Sequence, residues 1–462
     1  MGEDTDIAVI GAGPGGYVAA ARAAQLGASV TLLEMADLGG TCTNLGCIPS
    51  KALLHTVEVL DLIRRADEDG LEAQHAPPHL ARIMAQKDRV VKRLRDGVGL
   101  LMKEHGVRVI RARARLEGPT TIVAHGPDGE QRLQARKVIL ATGSAPSFLP
   151  IPGAHGKGVI TSDDAVRLQE IPASLTIIGG GYVGVEMGYV YRMLGSTVTI
   201  LELMPQIMPN EDPETVAELD KALRKRGIRI ITSARVTRIE DAAAGKGVAY
   251  LEQGVEKTVE SERVLMAVGR APYTEGLGLE ERGVEFHGRA IQVNARMETN
   301  LPNLYAIGDV IGKIPLAHVA SAEGKVAAAN ACGANRSMRY DAVPFCVYTK
   351  PELASVGLSE AAAREAGREV RVGRFPFVAL GKAVAIHERT GFVKIVTDAR
   401  SKVVLGAQIV GPHASDLIAE LTLAVRMGVT AEQLADTIHA HPSLPEAVLD
   451  AAEDALGHPI HA

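Results

Sequence analysis

The chain opens on a short apolar run, Ile7 to Ile10, that breaks into the glycine turn GAGPGG and continues as an Ala-rich stretch with helical spacing. A brief apolar run bounded by glycine reads as a buried strand, and the segment after it as the first turns of a packed helix. The same pattern recurs in LTIIGGGYVGVEMG from Leu175. Both copies satisfy G-x-G-x-x-G, through Gly11, Gly13 and Gly16 and through Gly179, Gly181 and Gly184. Each leads to a second apolar strand that ends in an acid, LGASVTLLE at Glu34 and LGSTVTILE at Glu202. The offset is 168 residues at both landmarks (179 − 11 and 202 − 34), so one supersecondary unit has been used twice.

A second repeated pair, KVILATGSAP around Gly143 and RVLMAVGRAP around Gly269, reads as the strand that closes each unit. The first unit spans 132 residues (143 − 11) and the second 90 (269 − 179), which leaves 42 extra residues in the first. They fall where Cys42, Cys47 and a helical stretch through Arg95 lie. Beyond Arg270, NLYAIGDV predicts a further strand ending at Gly308-Asp309, and Leu316 to Ala331 a helix. From about Asp341 the character shifts to strands (FVKIVTD, VVLGAQIVG) and amphipathic helices (ASDLIAELTLAVRMG, LPEAVLDAAEDAL), so a separate α+β domain is expected with its boundary near Tyr340.

Composition narrows the function classes. At 462 residues, 46% hydrophobic and 23% charged, the chain is long enough for roughly three domains and too apolar for disorder. A net charge of −5, nine Tyr, six Phe and no Trp give no case for nucleic acid or a membrane belt. No apolar run nears the ~20 residues that span a bilayer. An apolar strand within the first ten residues argues against a signal peptide, and a cytoplasmic α/β protein is expected. Four cysteines are too few for a disulfide scaffold, so the close pair Cys42 and Cys47 points to catalysis. Cys332 and Cys346 read as buried apolar residues.

A glycine turn that opens a helix suits a pyrophosphate, because the helix N-terminus offers unpaired N–H groups and a positive dipole end. Side chains at Gly11, Gly13, Gly179 or Gly181 would obstruct that approach, and Glu34 and Glu202 are placed to accept from a ribose 2′-OH. Leu203-Met204-Pro205-Gln206 supplies no cation for a 2′-phosphate, which favours NAD over NADP. Cys47 precedes IPSKALLHTVEVL, a helix with Pro49 in its first turn, where the dipole favours a thiolate. Near the C-terminus, HAHPSLPEA sets His441 before a proline and five residues ahead of Glu446, a base with a carboxylate to orient it. His439 reads as a satisfied structural histidine, and Lys221 to Arg226 as a solvated helix face.

GGTCTNLGCIPSK, together with GAGPGG, ATGS, GGGYVGVEMG, YAIGDV and HAHPSLPEA, resembles the flavin-dependent pyridine-nucleotide disulfide oxidoreductases over essentially the whole chain. The likeness is strongest to the members that oxidise dihydrolipoyl groups. It implies an α/β chain with two Rossmann-like dinucleotide-binding domains and a C-terminal α+β dimerisation domain. FAD would be held by 1–147, with its continuation at 271–340, NAD by 148–270, and the interface would be 341–462. Cys42 would be the interchange thiol and Cys47 the thiol against the flavin. Gly11, Gly13, Gly16, Glu34, Ala114, Thr142, Gly143, Ser144 and Asp309 would hold FAD. The helix starting near Leu316, Ala317 and His318 would aim its N-terminus at the flavin. Lys51, paired with Glu186, would sit near the reactive flavin nitrogen, and Tyr182 would gate or pack the nicotinamide face. Gly179, Gly181, Gly184, Glu202, Val236 and Gly269 would line the NAD cleft.

His441 would take the thiol proton, supplied by the partner subunit of a homodimer, and Glu446 would orient it. Pro445 stands where the family usually has a small polar residue. The implied partners are the lipoyl domains of a 2-oxoacid dehydrogenase complex or a lipoylated carrier protein, with no nucleic acid and no membrane. Glutathione reductase is disfavoured by the missing cations after Glu202, mercuric reductase by the lack of any cysteine after Cys346, and a soluble transhydrogenase by the presence of both redox cysteines. A structural flavoprotein without turnover has no use for Cys42, Cys47, His441 and Glu446 together.

Overall fold

The computed structural model describes residues 3–73, 77–127, 129–243 and 245–461. The outer domain bounds, Met1 and Ala462, lie outside the described residues. Eight helices organise the site: α1 (Pro14–Gln25), α2 (Cys47–Arg64), α3 (Leu80–Glu104), α4 (Tyr182–Leu194), α5 (Pro213–Lys225), α6 (Ala317–Ala331), α7 (Ala414–Met427) and α8 (Glu446–Leu456).

The first repeat forms a parallel sheet in which Glu3–Ile10 lies between Val30–Glu34 and the long strand Gly129–Leu140. Arg108–Arg111 extends one edge and Leu304–Ala306 the other. Gly129–Leu140 makes this a mixed seven-stranded sheet: its first residues pair antiparallel with Thr121–Gly126, and its last run parallel to Glu3–Ile10. The second repeat rebuilds the same core, with Ser174–Ile178 between Thr197–Leu201 and Arg263–Met266. In both, the fingerprint glycine follows directly on the central strand, after Ile10 and after Ile178, where an open α/β sheet has its ligand crevice.

The repeated turns hydrogen-bond to each other. Ser144–Pro146 pairs antiparallel with Arg270–Pro272 about Ala145 and Ala271. The Tyr273 amide donates to the Gly143 carbonyl (2.9 Å) and the Ser147 amide to that of Gly269 (3.0 Å). The chain therefore leaves the first unit and re-enters it through one two-stranded ribbon. The strand predicted to end at Asp309 stops at Ala306, and Gly308–Ile311 is a tight helical turn.

The insertion packs outward. Leu53, Leu54 and Val57 of α2 and Met84 of α3 share one buried cluster with Val185, Tyr189 and Val190 of α4. The apolar stripe of the inserted helices is thus buried against the second repeat. After Tyr340, Glu352–Gly357, Phe392–Asp398 and Val404–Gly411 form the centre of a five-stranded antiparallel sheet, packed by α7 and α8.

Two expectations fail. Cys332 is exposed, because it stands just past the end of α6 rather than on its packed face. Arg226 does not belong to a solvated helix face: its guanidinium binds Asp61 of α2 at 2.9 Å, because α5 ends against the inserted helix. Cys346 is half-buried against the C-terminal core.

Helices α1 and α6 cross so closely that a Cβ at Gly324 would lie 2.5 Å from the Gly15 carbonyl oxygen. Gly324→Ala should lower stability by about 1–3 kcal/mol, read as a fall of several degrees in thermal unfolding. Gly97→Ala, in α3 with open space around it, should leave the midpoint unchanged or raise it.

Candidate active site

Each fingerprint loop is held by its own acid. The Glu34 carboxylate accepts the Ala12 amide at 2.7 Å and the Ala36 amide at 2.8 Å. Glu202 accepts the Gly180 amide at 2.6 Å and the Met204 amide at 2.7 Å, the same two contacts 168 residues later. A carboxylate has roughly four lone-pair sites, so two remain on each acid for an incoming ligand. This latch on the loop was not read from the sequence, although the constant glycine-to-acid spacing is its signal.

The glycines divide by role. Gly11 and Gly179 have φ of +101° and +107°, and a Cβ there would sit 2.3 Å and 2.4 Å from the carbonyl oxygens of Ala141 and Ala267. The backbone itself requires glycine at both, a constraint additional to any room a ligand needs. Gly16 and Gly184 are likewise needed for packing against the carbonyls of Gly11 and Gly179. Only Gly13 and Gly181 face open space at the start of their helices.

A cavity of about 510 Å³ runs from Glu34 and Ala114 past Gly13, Thr142 and Gly143 to Cys42, Cys47 and Lys51, with Tyr182 and Glu186 at its end. Ser144, Asp309 and Ala317 also line it. The Ser144 hydroxyl donates to Asp309 at 2.5 Å and accepts from Arg270 at 2.9 Å, and the Thr142 hydroxyl donates to the Tyr273 carbonyl at 2.7 Å. The buried Glu323 fixes the turn bearing Asp309, accepting the Gly308 amide and the Tyr340 hydroxyl, both at 2.7 Å. Leu316 caps α6. The His318 ring is turned to the Pro344 carbonyl at 3.0 Å, and its burial depresses its pKa. Gly179, Gly181, Gly184, Glu202 and Gly269 stand outside this cavity, in the second unit. The Val236 side chain is packed into that unit's core with Tyr250, so only its backbone can face a ligand.

At the thiols, Gly46 precedes α2 and Cys47 is the first helical residue. Both cysteines are free. The Cys42 thiol hydrogen-bonds to Cys47, and this bond, followed by burial and the Cys47 charge, pushes the Cys42 pKa far up. The same bond, with the Lys51 charge and against burial, lowers Cys47 to about 7. The Lys51 Nζ donates to both oxygens of Glu186, at 2.9 and 2.8 Å. Glu186, only 4% exposed, also accepts the Tyr348 amide at 3.2 Å, and Lys51 lies 4.3 Å over the centre of the Tyr348 ring. Tyr348, from the C-terminal domain, is a contributor that no local pattern announced.

The last pair lies elsewhere. His441 Nδ1 is 2.8 Å from one Glu446 oxygen, and the Ser443 amide donates to the other at 2.7 Å. Pro445 leaves both contacts in place, and the His441–Pro442 bond is cis. Burial would raise the Glu446 carboxyl, but the Ser443 amide and His441 hold it below its ordinary value. The His441 side chain is 79% exposed and is no part of the thiol cavity's wall, so that cavity does not bring His441 and the thiols together. His439 is satisfied, by Glu420 at 3.1 Å and the Thr437 carbonyl at 2.9 Å.

The depressed Cys47 pKa means a thiolate that persists above about pH 7 and is lost below it. Alkylation of the reduced protein by iodoacetamide should follow that midpoint at Cys47. Lys51→Met should move it up toward the ordinary thiol range near 8.5, because the cation goes and Glu186 stays. An unchanged profile would remove Lys51 as a contributor and leave the Cys42 hydrogen bond as the cause.

Residues 5–324 match the pyridine nucleotide-disulphide oxidoreductase family, and residues 343–452 match that family's dimerisation domain. The chain is 46% identical over 461 residues to a dihydrolipoyl dehydrogenase of Thermus scotoductus, covering 99% of this chain and 98% of that protein. It is 42% identical over 459 residues to that of Geobacillus stearothermophilus, covering 99% and 97%. Among solved structures, LpdA from Mycobacterium tuberculosis superposes with a TM-score of 0.91 at 30% identity, covering 97% of this chain and 99% of that one. The HOCl-induced flavoprotein disulfide reductase RclA from Escherichia coli gives 0.86 at 29% identity, with 97% and 99% covered. Among the described residues no helix is long and apolar enough to cross a membrane. With its doubled fingerprint, its thiol pair and its full-length matches, the chain belongs to the pyridine nucleotide-disulphide oxidoreductase family.

Proposed function

We propose that this chain oxidises dihydrolipoyl groups with NAD+, that Cys42 and Cys47 exchange with the substrate, and that His441 accepts its proton. The activity is NAD-dependent and flavin-dependent, supported by identities of 42–46% to dihydrolipoyl dehydrogenases along the whole chain. The observation that carries the residue roles is the asymmetry of the thiol pair. In disulfide exchange the sulfur with the lower pKa is the better leaving group. Cys47, lowered to about 7, suits departure as a thiolate, and Cys42 suits bonding to substrate.

The His441 Nε2 takes the proton of one dihydrolipoyl thiol, and Glu446 stabilises the imidazolium. The resulting thiolate attacks the Cys42 sulfur of the Cys42–Cys47 disulfide, and Cys47 leaves as a thiolate. The second substrate sulfur, on losing its proton, attacks the mixed disulfide, so lipoyl disulfide departs and Cys42 takes up a proton. Substrate loses two electrons and two protons, and the pair gains both electrons. His441 faces solvent in its own chain, so a second copy of this homodimer supplies it. The substrates proposed are lipoyl domains of a 2-oxoacid dehydrogenase complex or a lipoylated carrier protein, in the cytoplasm.

The residues present fit FAD. The open space over Gly13 at the start of α1 would take the pyrophosphate, and Glu34 would accept from the ribose. Ala114 would offer backbone to the adenine, and Gly11, Gly16, Thr142, Gly143, Ser144, Asp309 and the Leu316–His318 end of α6 would shape the rest. FAD, when bound, supplies the two-electron chemistry that links a dithiol to a nicotinamide. NAD would lie on Gly179, Gly181, Gly184 and Glu202 with the backbone of Val236 and Gly269, and Tyr182 would border the nicotinamide end. Residues 1–147 and 271–340 would then hold FAD, 148–270 NAD, and 341–462 the partner.

Gly13→Ala should cut bound FAD, measured by absorbance per chain, while the apoprotein keeps its far-ultraviolet circular dichroism. Retention of full FAD would count against the cradle. Cys42→Ser and His441→Gln should each lose at least about a hundredfold in dihydrolipoamide oxidation. If the base crosses between subunits, unfolding and refolding the two variants as a mixture should recover about one quarter of wild-type activity, from the one intact site in each mixed dimer. No recovery would place thiols and base within one chain.

A further inference from the structure

The last described residues fold back onto the helix that carries Glu446. His461 Nδ1 lies 2.9 Å from Asp450 Oδ1. Asp450 is 6% exposed and follows Glu446 by four residues on α8, a rise of ~6 Å that puts the two side chains on the same face about one turn apart. Each holds one histidine ring: His441 enters from the segment before the helix, and His461 returns from the segment after it. The His461 side chain is 68% exposed and lines no cavity wall of the thiol site. We propose that the His461–Asp450 pair is a positioning pair that sets the proton affinity of His441 through Glu446. This rests on His441 being the base.

The argument is one of charge. With His461 protonated, the pair is neutral, and the Glu446 charge acts on His441 alone. Asp450 raises the His461 pKa, with smaller contributions from Glu453 and Glu446, so the ring keeps its charge to higher pH than an isolated histidine. Of the other charged groups around α8, Glu453 faces the same pair with one oxygen lacking a hydrogen-bond partner, and its charge is common to every variant compared below. Arg371, from Val370–Pro376, reaches the Leu456 carbonyl at 3.4 Å, and Glu420 of α7 is taken by His439 at 3.1 Å. Asp454 accepts the Arg374 amide at 2.7 Å, and His458 is exposed past the helix end. Removing the His461 charge leaves a bare carboxylate one turn from Glu446, which stabilises the His441 imidazolium. Removing Asp450 instead leaves a histidine whose charge opposes that imidazolium. A purely structural tail would make both variants behave alike.

The test is the pH profile of kcat/KM for dihydrolipoamide oxidation by the holoenzyme, whose acid limb reports the free base. His461→Gln should move that limb up by at least about 0.3–0.5 pH unit, the scale for one charge some 8 Å away through water and a floor here because Asp450 is buried. Asp450→Asn should move it down, the double variant should return it near wild type, and about 1 M salt should shrink each shift. Shifts in the same direction, or none with His461→Gln, overturn the inference. His461→Gln decides alone if Asp450→Asn does not fold. The two readings separate cleanly: a His441→Gln enzyme that keeps its turnover and acid limb sinks the base assignment. A limb lost in His441→Gln yet unmoved by His461→Gln sinks only the tuning pair.

Discussion

The site depends on one buried carboxylate. Glu186 arrives on α4 of the second repeat, and its two oxygens are claimed by Lys51 from the helix inserted into the first repeat and by the Tyr348 amide from the C-terminal domain. A buried charge is tolerated only when paired and hydrogen-bonded, so this group binds three separate stretches of chain to one point. That point is beside the thiols. The hydrogen bond from Cys42 does most to lower Cys47 against burial, the Lys51 cation adds to it and Glu186 opposes it, leaving a thiolate near neutrality. The apolar packing of Leu53, Leu54 and Val57 against Val185 and Tyr189 supplies the framework in which the ion pair forms. Stability and chemistry meet at the same contact.

A second constraint has been duplicated with the fold. In both repeats a carboxylate at the end of the second strand bonds the amide directly after the first fingerprint glycine and another two residues beyond itself. The acid thereby fixes the loop before any nucleotide approaches, and such preorganisation lowers the ordering cost of binding. The insertion of a thiol-bearing helix after one latch and not the other made the two units chemically unequal without altering either loop. The ribbon between Ser144–Pro146 and Arg270–Pro272 carries the same history, since the two segments that pair are themselves copies.

What was legible in the sequence was whatever repeats or clusters locally. The two fingerprints, Glu34 and Glu202, the Cys42–Cys47 pair and the His441–Glu446 pair all sit within a few residues of a telling neighbour, and the structure keeps His441 and Glu446 in contact despite Pro445. What escaped lies between segments far apart in sequence. Tyr348 reaches Glu186 across 162 residues, and Arg226 reaches Asp61 across 165, so neither has a local signature. Glu323 looks like an ordinary residue of an Ala-rich helix until the Gly308 turn is folded against it. The structural need for Gly11 and Gly179 escaped as well, because φ and the opposing carbonyl become visible only once the neighbouring strand is in place. Cys332 was misread because it follows directly on the Ala331 end that the pattern announces, at the cap, where no packed face covers it.

The exposed His441 follows from how the C-terminal domain is built. Both Glu446 oxygens are occupied, one by the ring and one by the Ser443 amide, so the imidazole is oriented within its own chain. Ala447, Val448 and Ala451 bury the opposite face of α8 against the antiparallel sheet, which leaves the helix no freedom to swing the ring inward. Leu423, Met427 and Ile438, the last 97% exposed, leave apolar surface on the same domain for a dimer to cover. A base that is rigid, correctly oriented and facing outward needs no rearrangement when a second copy docks. On the proposed roles, thiols prepared on one surface and a base prepared on another would make the complete site a property of the dimer, while each half is set by contacts inside a single chain.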